Sequence, residues 1–99
     1  MSVIYIDVDN TLITTYLKKR TPINHISDNI SDLSKKGHLL YCWSTGGAIY
    51  AKDIAIELGI EKYFEAFLPK PEVMIDDQPI NTWKLLKQIK PDQFSLDDF

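Results

Sequence analysis

A single cysteine stands in the chain, and one thiol cannot close an internal disulfide. That residue, Cys42, lies inside the apolar run 39–43, which predicts a buried, inert side chain. Long hydrophobic runs are missing too, since the longest span only a few residues against the roughly 20 that a bilayer-crossing helix needs. No membrane span is therefore expected. Residues 1–6 hold no basic stretch followed by a long apolar one, so no secretory signal is expected and the cytoplasm is the default compartment. Positive charge is in deficit: 11 Lys and Arg against 14 Asp and Glu give a net charge of -3. This argues against broad electrostatic capture of nucleic acid, which then enters only as a substrate. Internal repeats and low-complexity segments are likewise lacking. What remains is the balance of an ordinary folded protein, 44% hydrophobic and 25% charged, in 99 residues. That length suits one domain over residues 1–99, with about 90–99 forming a loose acidic tail.

Along the chain, apolar and β-branched residues 3–6 stop at Asp7, as a buried parallel strand does when it delivers polar groups to its C-terminal edge. Residues 14–24, with Lys18, Lys19, Arg20 and Pro22, predict a loop or short hairpin. Ile26, Ile30 and Leu33 share one helical face over 25–36, and Gly37 ends the pattern. Residues 39–43 read as a second strand. After Ser44-Thr45-Gly46-Gly47 a second helix runs to about Leu58, with Ile49, Ile54 and Leu58 on its buried side and Gly59 as its stop. A third strand over 64–68, a fourth over 73–75 and a closing helix over 82–89 complete the order β-α-β-α-β-β-α. Such alternation predicts an α/β fold, a three-layer α/β/α sandwich on a small, mainly parallel, Rossmann-like sheet.

In such sheets ligands bind at the C-terminal strand ends. There the sequence collects Asp7, Asp9 and Thr11 after the first strand, Ser44, Thr45 and Gly46 after the second, Lys70 after the third, and Asp76-Asp77 after the fourth. Asp7 and Asp9 flank one residue, so both carboxylates can approach one point, and a hard divalent cation relieves their repulsion. Magnesium fits best, because it keeps several waters and leaves room for a phosphate oxygen; Asp76 and Asp77 are candidates to complete its site. One carboxylate can then attack phosphorus to form an aspartyl phosphate while the other serves as acid and base. Ser44, Thr45 and Gly46 at a helix N-terminus, with Lys70, are candidates to bind the phosphate.

Residues 4–12, Ile-Tyr-Ile-Asp-Val-Asp-Asn-Thr-Leu, resemble the first motif of the haloacid dehalogenase superfamily. Ser44 resembles its second motif, Lys70 its third and the pair Asp76-Asp77 its fourth. The likeness implies Asp7 as nucleophile and Asp9 as general acid and base, with Thr11 holding the loop. It further implies magnesium on the Asp7 carboxylate, the Asp9 carbonyl and Asp76 or Asp77. The implied activity is phosphomonoester hydrolysis through an aspartyl phosphate, on a small-molecule or macromolecular substrate. The stretches 14–24 and 45–69 leave no room for the cap domain many such proteins carry, so an open site is expected. The small sheet makes a homo-oligomer an accompanying expectation.

Other classes compete. A receiver domain also gathers acids, a hydroxyl and a lysine around magnesium, but residues 68–70, Leu-Pro-Lys, offer no acid where its phosphoacceptor would stand. A catalytically silent binding or regulatory module, and a phosphotransferase, are the remaining alternatives. Lys18, Lys19 and Arg20 read as a solvated loop face, His25 and His38 as structural or exposed, and Trp43 and Trp83 as packing residues.

Overall fold

The computed structural model describes all of residues 1–99. Five strands and three helices appear in chain order: β1 (Val3–Asp7), β2 (Ile13–Tyr16), β3 (Lys19–Pro22), α1 (Asn24–Ser27), α2 (Ile30–Lys35), β4 (Leu39–Ser44), α3 (Ala48–Glu57) and β5 (Phe64–Pro69). Beyond β5 only short 3-10 turns form. The β-branched and aromatic residues of β1 and β4 suit a pleated surface. They pair in parallel from Val3 opposite Leu39 to Asp7 opposite Trp43, and β4 pairs in parallel with β5 from Leu40 opposite Phe64 to Ser44 opposite Pro69. The sheet order is β1-β4-β5, with β4 in the centre, and β2 and β3 form a separate antiparallel hairpin. The chain is thus a small α/β protein with a three-stranded parallel sheet.

Burial alternates along β4: Leu40, Cys42 and Ser44 point into the core, while Leu39, Tyr41 and Trp43 are half-buried. The core face joins Ile6 to Ile30 and Leu33 of α2 and to Ala51, Ile54 and Ala55 of α3 in one cluster. Both helices therefore lie on one face. Successive right-handed crossovers that move in one direction along a sheet produce this arrangement, and covering the other face needs a crossover in the opposite direction. On that other face Tyr5 stacks on Tyr41 at 5.1 Å and meets Trp43 edge-on at 4.9 Å. A helical layer on each face, expected from the alternation of elements, is not formed.

The second half of that expectation fails in the C-terminal segment. Residues 73–75 make no strand and 82–89 no helix; Val73, Ile75 and Leu85 are 78%, 99% and 98% exposed. Three residues of strand and two turns of helix gain stability only by docking, and nothing packs on them here, so chain entropy prevails. Residues 90–99, expected as a loose tail, are instead anchored. Phe94, Leu96 and Phe99 pack against the core, His25 Nε2 lies 2.7 Å from the Phe94 carbonyl oxygen, and Lys36 Nζ donates to the Leu96 carbonyl at 3.2 Å.

The first helix is also modified. Its apolar face holds, with Ile26, Ile30 and Leu33 buried, but it breaks into α1 and α2 at Asp28-Asn29. Both residues are poor in helix interiors because their side chains compete for nearby backbone groups, and Asn29 Nδ2 does so by donating to the His25 carbonyl at 2.9 Å. In the second helix Ile49 is 80% exposed, and Ala51, Ile54 and Ala55 form the buried face instead. Gly37 and Gly59 act as expected. Each adopts a positive φ, +91° and +72°, and each closes a Schellman motif, with His38 N donating to Leu33 O and Ile60 N to Ala55 O.

Candidate functional site

The C-terminal ends of β1, β4 and β5 meet at one point. After β1 the chain turns tightly: the Val8 carbonyl accepts from the amides of Thr11, Leu12 and Ile13, and Asn10 takes φ +60°. Val8 and Leu12 are fully buried and anchor the turn from below, which leaves Asp7, Asp9 and Thr11 facing outward. Alternation of apolar and polar residues here makes a rigid base under a polar rim.

Asp7 is held on both oxygens. Lys70 Nζ lies 3.0 Å from Oδ1, and Thr11 Oγ1 donates to Oδ2 at 3.2 Å. Lys70 is itself fixed to β4, since its amide donates to the Ser44 carbonyl at 2.9 Å, and its ammonium stands 5.9 Å from the centre of the Trp43 ring. The Lys70 and Asp7 side chains are 34% and 31% exposed, so this pair contributes little to stability and much to local charge. Ser44 is 1% exposed, and its Oγ accepts from Gly46 N at 3.0 Å, which shapes the turn into α3. Thr45 and Gly46 are exposed beside it, and the first amides of α3 follow. Asp7, Thr11, Ser44 and Lys70 are thereby brought together as expected.

Asp9 stands on the same turn but is engaged differently: Tyr50 Oη of α3 donates to its Oδ1 at 2.7 Å. Burial pushes the Tyr50 phenol up to about 12, and the hydrogen bond to Asp9 adds to the rise. Tyr50 was not apparent from the sequence, because no local spacing links it to Asp9; the one hint is its position in the first turn of the helix that leaves the site. Arg20 is exposed, as expected, and also gains a partner. It forms a two-pronged pair with Glu57, at 2.9 and 3.0 Å, and so ties the β2–β3 hairpin to α3. The guanidinium's hydrogen bonds hold the Glu57 carboxyl below its ordinary range.

Asp76 and Asp77 are not brought to this cluster. Asp76 Oδ1 accepts from Gln78 N at 2.9 Å in an Asx turn, and no three acidic, histidine or cysteine side chains converge anywhere. Their placement follows from the missing fourth strand, which alone would have carried them to the sheet edge. Asp7 and Asp9 remain at the strand ends, Asp7 partly exposed and Asp9 exposed, and they offer oxygen donors of the kind that magnesium takes together with water and phosphate.

Cys42 is fully buried beneath the site, as expected, and burial pushes its thiol up to about 12, with the negative charge of Asp7 adding to the effect. The thiol should resist an aromatic disulfide reagent at neutral pH in the folded protein and react fully in denaturant. Rapid reaction under native conditions would contradict this packing.

The architecture and the cluster define a small α/β protein with a polar site at the C-terminal ends of parallel strands. Residues 1–89 match the family described as "Protein of unknown function (DUF705)", and the chain belongs to that family. This corrects the resemblance to the haloacid dehalogenase superfamily, since the match is to DUF705 and not to that superfamily. No curated protein and no solved structure matches the chain. No helix is long and apolar enough to cross a membrane.

Proposed function

We propose that the chain is a magnesium-dependent phosphomonoester hydrolase that works through an aspartyl-phosphate intermediate on Asp7. The observation that carries this reading is the Asp7 carboxylate held between Lys70 Nζ and Thr11 Oγ1, beside Ser44, where strand ends and a helix N-terminus converge. A carboxylate that is half-exposed, oriented on both oxygens and paired with one cation is poised for nucleophilic attack.

In the proposed reaction a phosphate enters beside Lys70 and the Thr45 amide, over the turn that Ser44 closes. An oxygen of Asp7 attacks phosphorus, the bond from phosphorus to the leaving oxygen breaks, and Asp9 gives its proton to that oxygen. Water then attacks the aspartyl phosphate, Asp9 takes the water's proton, and Asp7 returns to the free carboxylate as inorganic phosphate leaves. Lys70 meets the charge on the phosphoryl oxygens in both steps. Magnesium, held by the Asp7 carboxylate and the Asp9 backbone carbonyl, would screen the repulsion between the nucleophile and the phosphate.

We extend the reading to the surroundings of the site. The open strand ends suit a small phosphorylated molecule or a phosphorylated macromolecule, and nucleic acid enters only in that role. The parallel sheet supports a Rossmann-like assignment, and a third layer over Tyr5, Tyr41 and Trp43 would come from a second copy of the chain. The cytoplasm is the proposed compartment, consistent with a lone, buried thiol.

Release of nitrophenol from an aryl phosphate tests the proposal. Turnover should appear with magnesium, vanish with a chelator and return when magnesium is restored. A folded protein that binds magnesium yet releases no product sinks the hydrolase reading and points to a silent phosphate-binding module, whereas product formed only with an added alcohol acceptor points to a phosphotransferase.

A further inference from the structure

We propose that Tyr50 is a positioning residue that aims the Asp9 carboxylate at the leaving group, an inference that rests on the hydrolase reading above. Asp9 is exposed and sits on a tight turn next to Asn10, so its side chain has no packing to hold it. Its single side-chain partner is Tyr50, whose Oη donates to Oδ1 at 2.7 Å and leaves Oδ2 free for the proton that general acid catalysis must move. A phenol-to-carboxylate bond of this length is charge-assisted and directional, which makes it a good device for fixing one rotamer.

Independent features hold the tyrosine itself. Tyr50 belongs to the first turn of α3, whose start is set by the Ser44–Gly46 turn. Its ring lies against Gly46 so closely that a Cβ there would meet Tyr50 Cδ2 at 2.8 Å and Cγ at 3.3 Å. Glycine at 46 therefore leaves room for the ring. A phenol carries its proton at neutral pH, so Tyr50 is a donor to Asp9. Two turns further along α3, Glu57 grips Arg20 of the hairpin, so the helix that carries Tyr50 is also tied to the β2–β3 hairpin. The resulting frame holds the tyrosine that orients the general acid.

The test compares leaving groups. An alkyl phosphate needs a proton on its departing oxygen, whereas dinitrophenolate leaves without one. Tyr50→Phe should lower kcat on an alkyl phosphate by about 10- to 100-fold with KM nearly unchanged, and lower kcat on dinitrophenyl phosphate by less than about 2-fold. In an Asp9→Asn background the same substitution should add no further loss, because the residue it positions is already gone. Equal losses on both substrates would indicate a general structural role and overturn the proposal, as would full activity on both. If the wild type turns over neither substrate with magnesium, the hydrolase reading fails and the role of Tyr50 falls with it; that outcome is visible before any variant is made.

Discussion

Asp7→Asn is expected to lower turnover of an aryl phosphate by about 10³-fold or more, equivalent to about 4 kcal/mol of transition-state stabilisation, while leaving the protein folded. The size of the effect follows from chemistry. An amide oxygen carries no full negative charge and is a poor nucleophile, so the route through an aspartyl phosphate closes and only binding and charge stabilisation by Lys70 remain. Retention of the fold follows from geometry. Asparagine has the same shape, its oxygen can still accept from Thr11 Oγ1, and the lost pair with Lys70 is partly exposed, so its removal costs at most about 1 kcal/mol. Kinetics and urea unfolding on the same preparation separate the two effects. Activity close to wild type would remove Asp7 from the reaction. A companion Asp9→Asn variant should accumulate the phosphoenzyme from a good leaving group, visible by mass in acid-quenched samples, because its second step lacks the base.

The three-stranded sheet was legible because short apolar runs ending in acids or serine are what parallel strands look like when they deliver polar groups to one edge. The same logic placed Asp7, Thr11, Ser44 and Lys70 together, and the structure joins them through hydrogen bonds and an ion pair. Tyr50 was hidden because its contact with Asp9 spans 41 positions, and pairing at that distance is a property of the fold rather than of any local pattern. Ile49 was misplaced for a related reason. Large apolar residues mark a helix's buried side on average, but where α3 lies close to β4 and β5 the small residues Ala51 and Ala55 face the sheet and Ile49 is left outside.

The assignment of 73–75 and 82–89 failed for a different reason. Periodicity reports what a segment could bury, not whether a surface exists to receive it. Pro71 and Pro79 bracket the proposed strand, Asp76 folds back onto Gln78, and no neighbouring strand pairs with it. With the strand gone, Asp76 and Asp77 lose the support that would have set them opposite Asp7. Of the four acids the sequence offers as metal ligands, only Asp7 and Asp9 stand at the strand ends.

The second large effect concerns stability and separates core from surface. Leu40→Ala should destabilise the protein by about 2–5 kcal/mol, as deletion of a buried leucine does when the space cannot close. Leu40 is fully buried on the central strand, where Ile4 and Phe64 are its neighbours in register on either side, and both helices pack on the cluster it belongs to. A domain of this length has about 5–15 kcal/mol in total, so the variant should have a much lower urea midpoint with an unchanged slope, or fail to fold. Ile75→Ala is the control, since that side chain is 99% exposed and its removal should change stability by no more than about 0.5 kcal/mol. The pair decides between two architectures. If Ile75→Ala costs more than about 1 kcal/mol, residues 73–75 pack in solution, and the fourth strand with its two acids must be restored to the sheet. If only Leu40→Ala is costly, stability resides in the three parallel strands and the helices on their one covered face.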